Sequence, residues 1–93
     1  MQRIIAIDYD QTYTDFKEIC NYIIENSEKY SYKVIICTFR YQEEINDELK
    51  NLEKEIEVYY TGRIAKQDFL SRKDIYPDLW IDDNPLYIFK NGY

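Results

Sequence analysis

The sequence contains no histidine, and this absence removes several classes of chemistry at once. Without an imidazole there is no histidine-containing catalytic triad, no zinc site with histidine ligands and no histidine general base. Glycine and proline occur only twice each, so we expect little of the chain to lie in loops. The chemistry must therefore come from carboxylates, hydroxyls, amines or thiols.

Cysteine, long apolar stretches and excess positive charge are also scarce. Cys20 and Cys37 lie within apolar patterns, so we expect buried free thiols in a reducing cytosol rather than a disulfide scaffold. No apolar stretch is long enough to span a bilayer, and the first residues lead into a strand pattern, so we expect no membrane and a cytoplasmic location. The net charge of −6 argues against a broad nucleic-acid surface, although a nucleotide or DNA end bound locally stays open.

Apolar runs alternate with helical periodicity along the 93 residues. Continuous runs predict strands covered on both faces at residues 3–7, 33–37, 56–60 and 77–81. Helices are predicted between them, from about residue 15 to about 30, from 42 to about 54, and at 64–72. This alternation predicts one α/β domain over residues 1–93, with three Rossmann-like layers and a small parallel sheet flanked by helices. The tail at 86–93 stays unassigned.

The first predicted helix carries the clearest helical signals. Either Thr14 or Asp15 is the expected N-cap, because an acidic residue follows at the spacing of a capping box. The apolar residues recur at helical spacing and form one stripe that is expected to face the sheet: Phe16, Ile19, Cys20, Ile23 and Ile24.

Aspartates follow the first and the last predicted strand. Asp8 and Asp10 flank Tyr9 after the first strand, and Asp82 and Asp83 follow the fourth. Ligands of parallel sheets bind beyond the carboxyl ends of the strands, so neighbouring strands would bring these four carboxylates into one pocket. Two like charges ~4 Å apart repel by ~4 kcal/mol at an effective dielectric of about 20, and a hard cation such as Mg²⁺ offsets this. The alternative is four separate, solvated loop and capping residues.

Polar residues also follow the other strands. Thr38 either closes the second strand as a β-branched residue or donates its hydroxyl to a phosphoryl oxygen. Lys66 is either a solvated surface lysine or a cation that reaches the carboxylates and a phosphoryl group. Arg40 and Arg63 are rivals for that role, and we expect each to face the substrate or to lie at the periphery.

The order of these residues resembles the four motifs of the haloacid dehalogenase-like (HAD) superfamily. The motifs are Asp8-x-Asp10-x-Thr, Thr38, Lys66 and an acidic pair followed by Asn-Pro, and they span nearly the whole chain. The acidic pair also looks like that of the small carboxy-terminal-domain phosphatases. The resemblance implies an HAD-like fold and a phosphatase, because family dehalogenases lack the second aspartate. Gln11 stands where many members have glycine, and we expect it to narrow the pocket.

The resemblance also implies unequal roles for the aspartates. Asp8 would be the nucleophile that forms an aspartyl-phosphate, and Asp10 the general acid and base. Mg²⁺ would be held by the Asp8 carboxylate, the Asp10 main-chain carbonyl and one of Asp82 and Asp83. Asp83 is favoured as the direct ligand and Asp82 as the partner of Lys66.

Thr38 and Lys66 would then stabilise the transferred phosphoryl group. The spacing of the motifs leaves no room for the cap domain that family members usually insert, so we expect a capless domain with an open site. An open site suits a nucleotide, a polynucleotide end or another bulky phosphorylated substrate, or a second copy of the chain that supplies a lid.

Two other functions stay open. The first is a non-catalytic HAD-like module that binds a nucleotide or a protein partner. The second is a phosphoryl-accepting signalling domain, but there the acidic pair would follow the first strand instead of the last.

Overall fold

The computed structural model describes residues 2–93. Strands and helices alternate in the order β1 (Arg3–Ile7), α1 (Lys17–Glu25), β2 (Tyr32–Thr38), α2 (Asp47–Leu52), β3 (Glu57–Tyr60), α3 (Lys66–Ser71), β4 (Leu79–Ile81) and α4 (Leu86–Phe89). A turn at Tyr9–Tyr13 follows β1; we call it the π-helical turn because its hydrogen bonds span five residues, although the dihedral angles of Asp10 and Gln11 are not helical. A 3₁₀ turn at Gln42–Glu44 precedes α2. The predicted α/β alternation is confirmed.

The four strands form one parallel sheet in the order β3-β2-β1-β4. β1 is therefore central, and β4 lies directly beside it with Ile7 opposite Ile81. On its other side, β1 pairs with β2, which places Ile7 opposite Ile36. The expectation that the first and last strands are neighbours is confirmed, so the residues that follow them emerge together.

Helices cover both faces of the sheet. Alternation along β1 sends Ile7 to one face and Ala6 to the other, and both side chains are fully buried. Ile7 packs with Cys20 of α1 and Leu49 of α2, whereas Ala6 packs with Leu70 of α3. Because both faces are covered, the central strands carry apolar residues at consecutive positions.

The helices are shorter than the sequence pattern predicts. α1 ends at Glu25, and turns that include Ser31 at φ 58° lead into β2. The predicted second helix is split, because Ile45 is extended and the Asn46 side chain starts α2 by accepting the Leu49 N–H at 2.8 Å. Side-chain capping thus places the helix start later than apolar periodicity does.

The prediction for the start of α1 is wrong in two respects. Neither Thr14 nor Asp15 caps the helix; Phe16 occupies the N-cap position without a capping side-chain bond. Phe16 and Ile19 are more than half exposed, although Cys20 is buried. The core therefore covers only part of the predicted apolar stripe.

The carboxy-terminal tail folds back onto the loop between β3 and α3. The Gly92 N–H donates to the Arg63 carbonyl at 2.8 Å, and Asn91 Oδ1 accepts the Ala65 N–H at 2.8 Å. A Cβ at position 92 would stand 2.7 Å from the Phe39 ring, so glycine allows the tail to approach this ring closely. The tail therefore anchors the start of α3.

Both cysteines are free and buried, as the sequence predicts. Burial raises the pKa of the Cys37 thiol to about 12, which keeps it protonated. Over the described part of the chain, no helix is long and apolar enough to cross a membrane.

Replacing Asn46 by alanine tests the cap of α2. Asn46→Ala removes the bond from Leu49 and also a 3.0 Å bond from Asn46 Nδ2 to the Tyr9 hydroxyl. It should lower the free energy of unfolding in urea by about 1–2 kcal/mol. Asn51→Ala, at an exposed position of the same helix, is the matched control and should change it by less than about 0.5 kcal/mol. Equal stability of the two variants would contradict the capping role.

Candidate active site

Three carboxylates converge where β1 and β4 end. Oxygens of Asp8, Asp82 and Asp83 lie within 4.8 Å of one another, close enough to hold one metal ion. The Asp8 N–H donates to the Ile81 carbonyl at 2.9 Å, which keeps the two strand ends in register. Sequence reasoning placed these residues after two strands; the pairing of those strands brings them together.

Lys66 is buried at the centre of this cluster. Its ammonium donates to Asp8 Oδ1 and to Asp82 Oδ2, each at 2.7 Å. Lys66 is the first residue of α3, and its side chain is 4% exposed, which excludes the surface-lysine alternative. Two of the three carboxylates, Asp8 and Asp82, thus share one ammonium, so the cluster carries excess negative charge when all three are ionised.

Burial and pairing act in opposite directions on the Asp8–Lys66 pair. Burial raises the pKa of Asp8 to about 7, and the nearby Lys66 ammonium only partly opposes this rise. Burial alone would lower the pKa of Lys66, but the Asp8 and Asp82 carboxylates outweigh it and hold that pKa above its ordinary value. Lys66 is therefore charged at neutral pH, whereas Asp8 is close to its titration point without a metal ion.

Thr12 links the two ends of the acidic cluster. Its hydroxyl lies 3.1 Å from Asp8 Oδ2 and 3.1 Å from Asp83 Oδ1, and it accepts the Asp83 N–H at 3.0 Å. The π-helical turn positions it, with Gln11 at φ 63° and the Tyr13 N–H donating to the Asp8 carbonyl. No role of Thr12 was predicted from the sequence. Its position as the fourth residue after Asp8 is the sequence feature that could have indicated this role.

Asp10 stands apart from the other carboxylates. Arg40 holds it in a two-pronged ion pair, with Nε 3.0 Å from Oδ2 and Nη2 2.9 Å from Oδ1. The third guanidinium nitrogen, Nη1, donates to the Glu44 carbonyl at 2.7 Å. The Asp10 side chain is half exposed and lines the same pocket as Asp8. Arg40 is thus engaged with a protein carboxylate and does not line the pocket.

Thr38 and Arg63 also lie outside the pocket lining. Thr38 is fully buried, and its hydroxyl accepts the Arg40 N–H at 3.2 Å. Arg63 donates to the Phe39 carbonyl at 2.7 Å and lies 3.4 Å from a Glu44 carboxylate oxygen. Both residues therefore support the loop between β2 and the 3₁₀ turn, and their predicted contacts with a substrate stay predictions.

The pocket over the carboxylates is small, with a volume of ≈170 Å³. It is lined by Asp8, Asp10, Gln11, Phe39, Lys66, Asp82, Asp83, Asn84 and Tyr87. A larger open groove of ≈1390 Å³ runs along β3 and the start of β2, but none of the clustered aspartates lines it. The clustered carboxylates and Lys66 therefore line the small pocket, for which the sequence did not predict Phe39, Asn84 and Tyr87 as lining residues.

Comparisons with protein-family models, with curated proteins and with solved structures find no match.

The burial of Asp8 predicts a pH-dependent cost to stability. With a folded pKa of about 7 against an ordinary 3.8, folded Asp8 keeps a proton that the unfolded chain has released, so its contribution to stability falls across that range as pH rises. Asp8→Asn removes this dependence. The free energy of unfolding of Asp8→Asn minus that of the unsubstituted protein, measured in urea with EDTA, should rise by on the order of 2 kcal/mol from pH 5 to pH 8.

Asp74→Asn is the control for loss of one negative charge. Asp74 is exposed, and its φ of 58° suits asparagine. If the difference in free energy of unfolding between Asp8→Asn and the unsubstituted protein does not change with pH, burial does not raise the pKa of Asp8.

Proposed function

We propose that this chain is an HAD-like, Mg²⁺-dependent phosphomonoester hydrolase that works through an aspartyl-phosphate on Asp8. The observation that carries the proposal is the buried Lys66 ammonium 2.7 Å from Asp8 Oδ1 and 2.7 Å from Asp82 Oδ2, within a group of carboxylates that could hold a metal ion. The order of the motifs along the chain supports the proposal, as does the pairing of β1 with β4, which brings Asp8 close to Asp82 and Asp83.

The donor set fits a hard divalent cation. All its ligand atoms would be oxygens, and one ammonium leaves excess negative charge for a cation to neutralise. Both oxygens of Asp82 are occupied, one by Lys66 and one by the Asn84 N–H at 2.9 Å. Asp83 uses only Oδ1, toward Thr12, in the hydrogen bonds of residues 2–93, so Asp83 is the better direct ligand.

Asp8, the Asp10 main-chain carbonyl and Asp83 would therefore hold Mg²⁺. When bound, this ion neutralises charge on the phosphoryl oxygens and favours the ionised form of Asp8. The remaining roles belong to side chains of the protein.

Asp8 supplies the nucleophile. One of its carboxylate oxygens attacks phosphorus while the bond from phosphorus to the ester oxygen breaks, and the leaving alkoxide takes a proton from Asp10. Asp10 then removes a proton from water, and the water oxygen attacks phosphorus while the bond from phosphorus to the Asp8 oxygen breaks. Inorganic phosphate leaves, and the Asp8 carboxylate is restored. Lys66 holds Asp8 in orientation and stabilises negative charge on the transferred group.

Arg40 holds the Asp10 side chain through a two-pronged bond, and Asp10 lines the pocket. Asp10 must leave this bond and carry a proton before it can protonate the leaving alkoxide. The same bond also favours a second candidate function, a catalytically weak module that binds a nucleotide or a protein partner. In that case Asp10 would stay locked by Arg40, and phosphate and Mg²⁺ would bind without turnover.

Hydrolysis of small phosphomonoesters in the presence of Mg²⁺ tests the enzyme against the module. We expect release of inorganic phosphate that EDTA abolishes, and a loss of about 10³-fold or more in kcat for Asp8→Asn because the nucleophile is gone. Asp74→Asn, exposed and outside the pocket, is the control and should keep full activity. Activity that survives in Asp8→Asn, or binding without turnover in the unsubstituted protein, would reject the hydrolase.

Substitutions of Asp82 and Asp83 should differ in their effect on the affinity for Mg²⁺. Asp83→Asn should weaken Mg²⁺ binding about tenfold or more, measured by calorimetry, because it removes the proposed ligand. Asp82→Asn should weaken it less, since Asp82 already serves Lys66 and the Asn84 N–H. The reverse order of affinities would assign the ligand to Asp82.

A further inference from the structure

One wall of the small pocket is aromatic. Phe39 follows β2 directly, Tyr87 lies in α4, and both line the pocket. Their ring centroids are 5.0 Å apart at an interplanar angle of 55°. The Lys66 ammonium lies 5.6 Å from the centre of the Phe39 ring, so this apolar wall adjoins the charged cluster.

The rest of the fold holds these rings in place. Arg63 bonds to the Phe39 carbonyl, and Gly92 packs against the Phe39 ring. Ile88, next to Tyr87, is buried and anchors α4. Ordered rings lose little conformational entropy when a ligand contacts them, which favours binding.

The volume of the pocket limits what can enter it. The pocket is small, at ≈170 Å³, and open to solvent, so a leaving group much larger than the phosphoryl group extends out of it. Phe39 and Tyr87, which line the pocket, are the aromatic side chains that this group can contact. Aromatic side chains favour flat rings, through stacked or edge-to-face contacts, over hydroxylated sugars.

The charges disfavour a polynucleotide. Arg40, Arg63 and Lys66, the basic residues that follow the strand ends, each lie in an ion pair with a protein carboxylate. They offer little attraction to a row of further phosphates, and the chain has a net charge of −6.

We infer that Phe39 and Tyr87 form a subsite for the flat ring of a small phosphomonoester, such as a nucleoside monophosphate or an aryl phosphate; the inference rests on the proposed hydrolase. The phosphoryl group reaches Asp8 and Lys66 while the ring lies against the aromatic wall. The substrate class is therefore narrower than an open site alone suggests.

Steady-state kinetics with matched substrates test the subsite. The probes are thymidine 5′-monophosphate, thymidine 3′-monophosphate, phenyl phosphate, ribose 5-phosphate and a 3′-phosphorylated oligonucleotide. We expect kcat/KM for the best ring-bearing small substrate to exceed that for ribose 5-phosphate by about tenfold or more. Preference for a thymidine monophosphate would indicate a nucleotide substrate, and preference for phenyl phosphate would indicate an aryl phosphate. A preference for the oligonucleotide, or equal use of ribose 5-phosphate, would overturn the inference.

Variants of Phe39 and Tyr87 test whether these two rings cause the preference for ring-bearing substrates. Tyr87→Leu and Phe39→Leu keep apolar volume but remove the ring, and each should reduce the ratio of ring-bearing to ring-less kcat/KM about tenfold, chiefly through KM. Tyr87→Phe should keep the ratio, and Tyr76→Leu, at an exposed tyrosine outside the pocket, is the matched control. A ratio unchanged in both leucine variants would overturn the subsite and leave the hydrolase intact.

A binding measurement separates the two proposals. In the Asp8→Asn variant with Mg²⁺, calorimetry should show tighter binding of thymidine monophosphate than of ribose 5-phosphate by a similar factor. If no probe is hydrolysed by the unsubstituted protein, the hydrolase fails, and this measurement still decides the subsite. Equal affinities would reject it.

Discussion

The buried ammonium of Lys66 is the interaction on which the site depends. It joins Asp8, which follows β1, to Asp82, which follows β4, through two 2.7 Å hydrogen bonds. Lys66 is the first residue of α3, which covers the face of the sheet opposite to α1 and α2. Removing one partner of such a buried pair leaves an uncompensated charge, which costs several kcal/mol. The fold retains this arrangement although burial makes ionisation of Asp8 unfavourable, and such a perturbed carboxyl group in a pocket is typical of a functional site.

The acidic groups divide into two sets with different cations. Asp8 and Asp82 share Lys66, whereas Asp10, which lines the same pocket, is held by Arg40. This separation lets two carboxylates near each other serve unlike purposes, one as a candidate nucleophile and one as a candidate proton carrier. The π-helical turn at Tyr9–Tyr13 produces it, because it directs Asp10 away from the cluster while it returns Thr12 to it.

The carboxy-terminal tail changes the picture of an open site. α4 adds Tyr87 beside Phe39 and so completes the aromatic wall of the pocket, and Asn91 and Gly92 tie this tail to the loop before α3. The segment that bounds the pocket thus also supports the helix that carries Lys66.

The sequence by itself determined the alternation of strands and helices and the places of Asp8, Asp82 and Asp83, because runs of buried residues and the strand ends are local features of the chain. It did not determine the helix ends, which depend on capping, or the exposure of Phe16, which helical periodicity assigns to the apolar stripe. Only the tertiary structure decided the partners: Arg40 with Asp10, Thr12 between two aspartates, and Tyr87 beside Phe39. These contacts join residues that are far apart in the chain, or that a turn brings together. Apolar periodicity predicts neither long-range contacts nor the conformation of a turn.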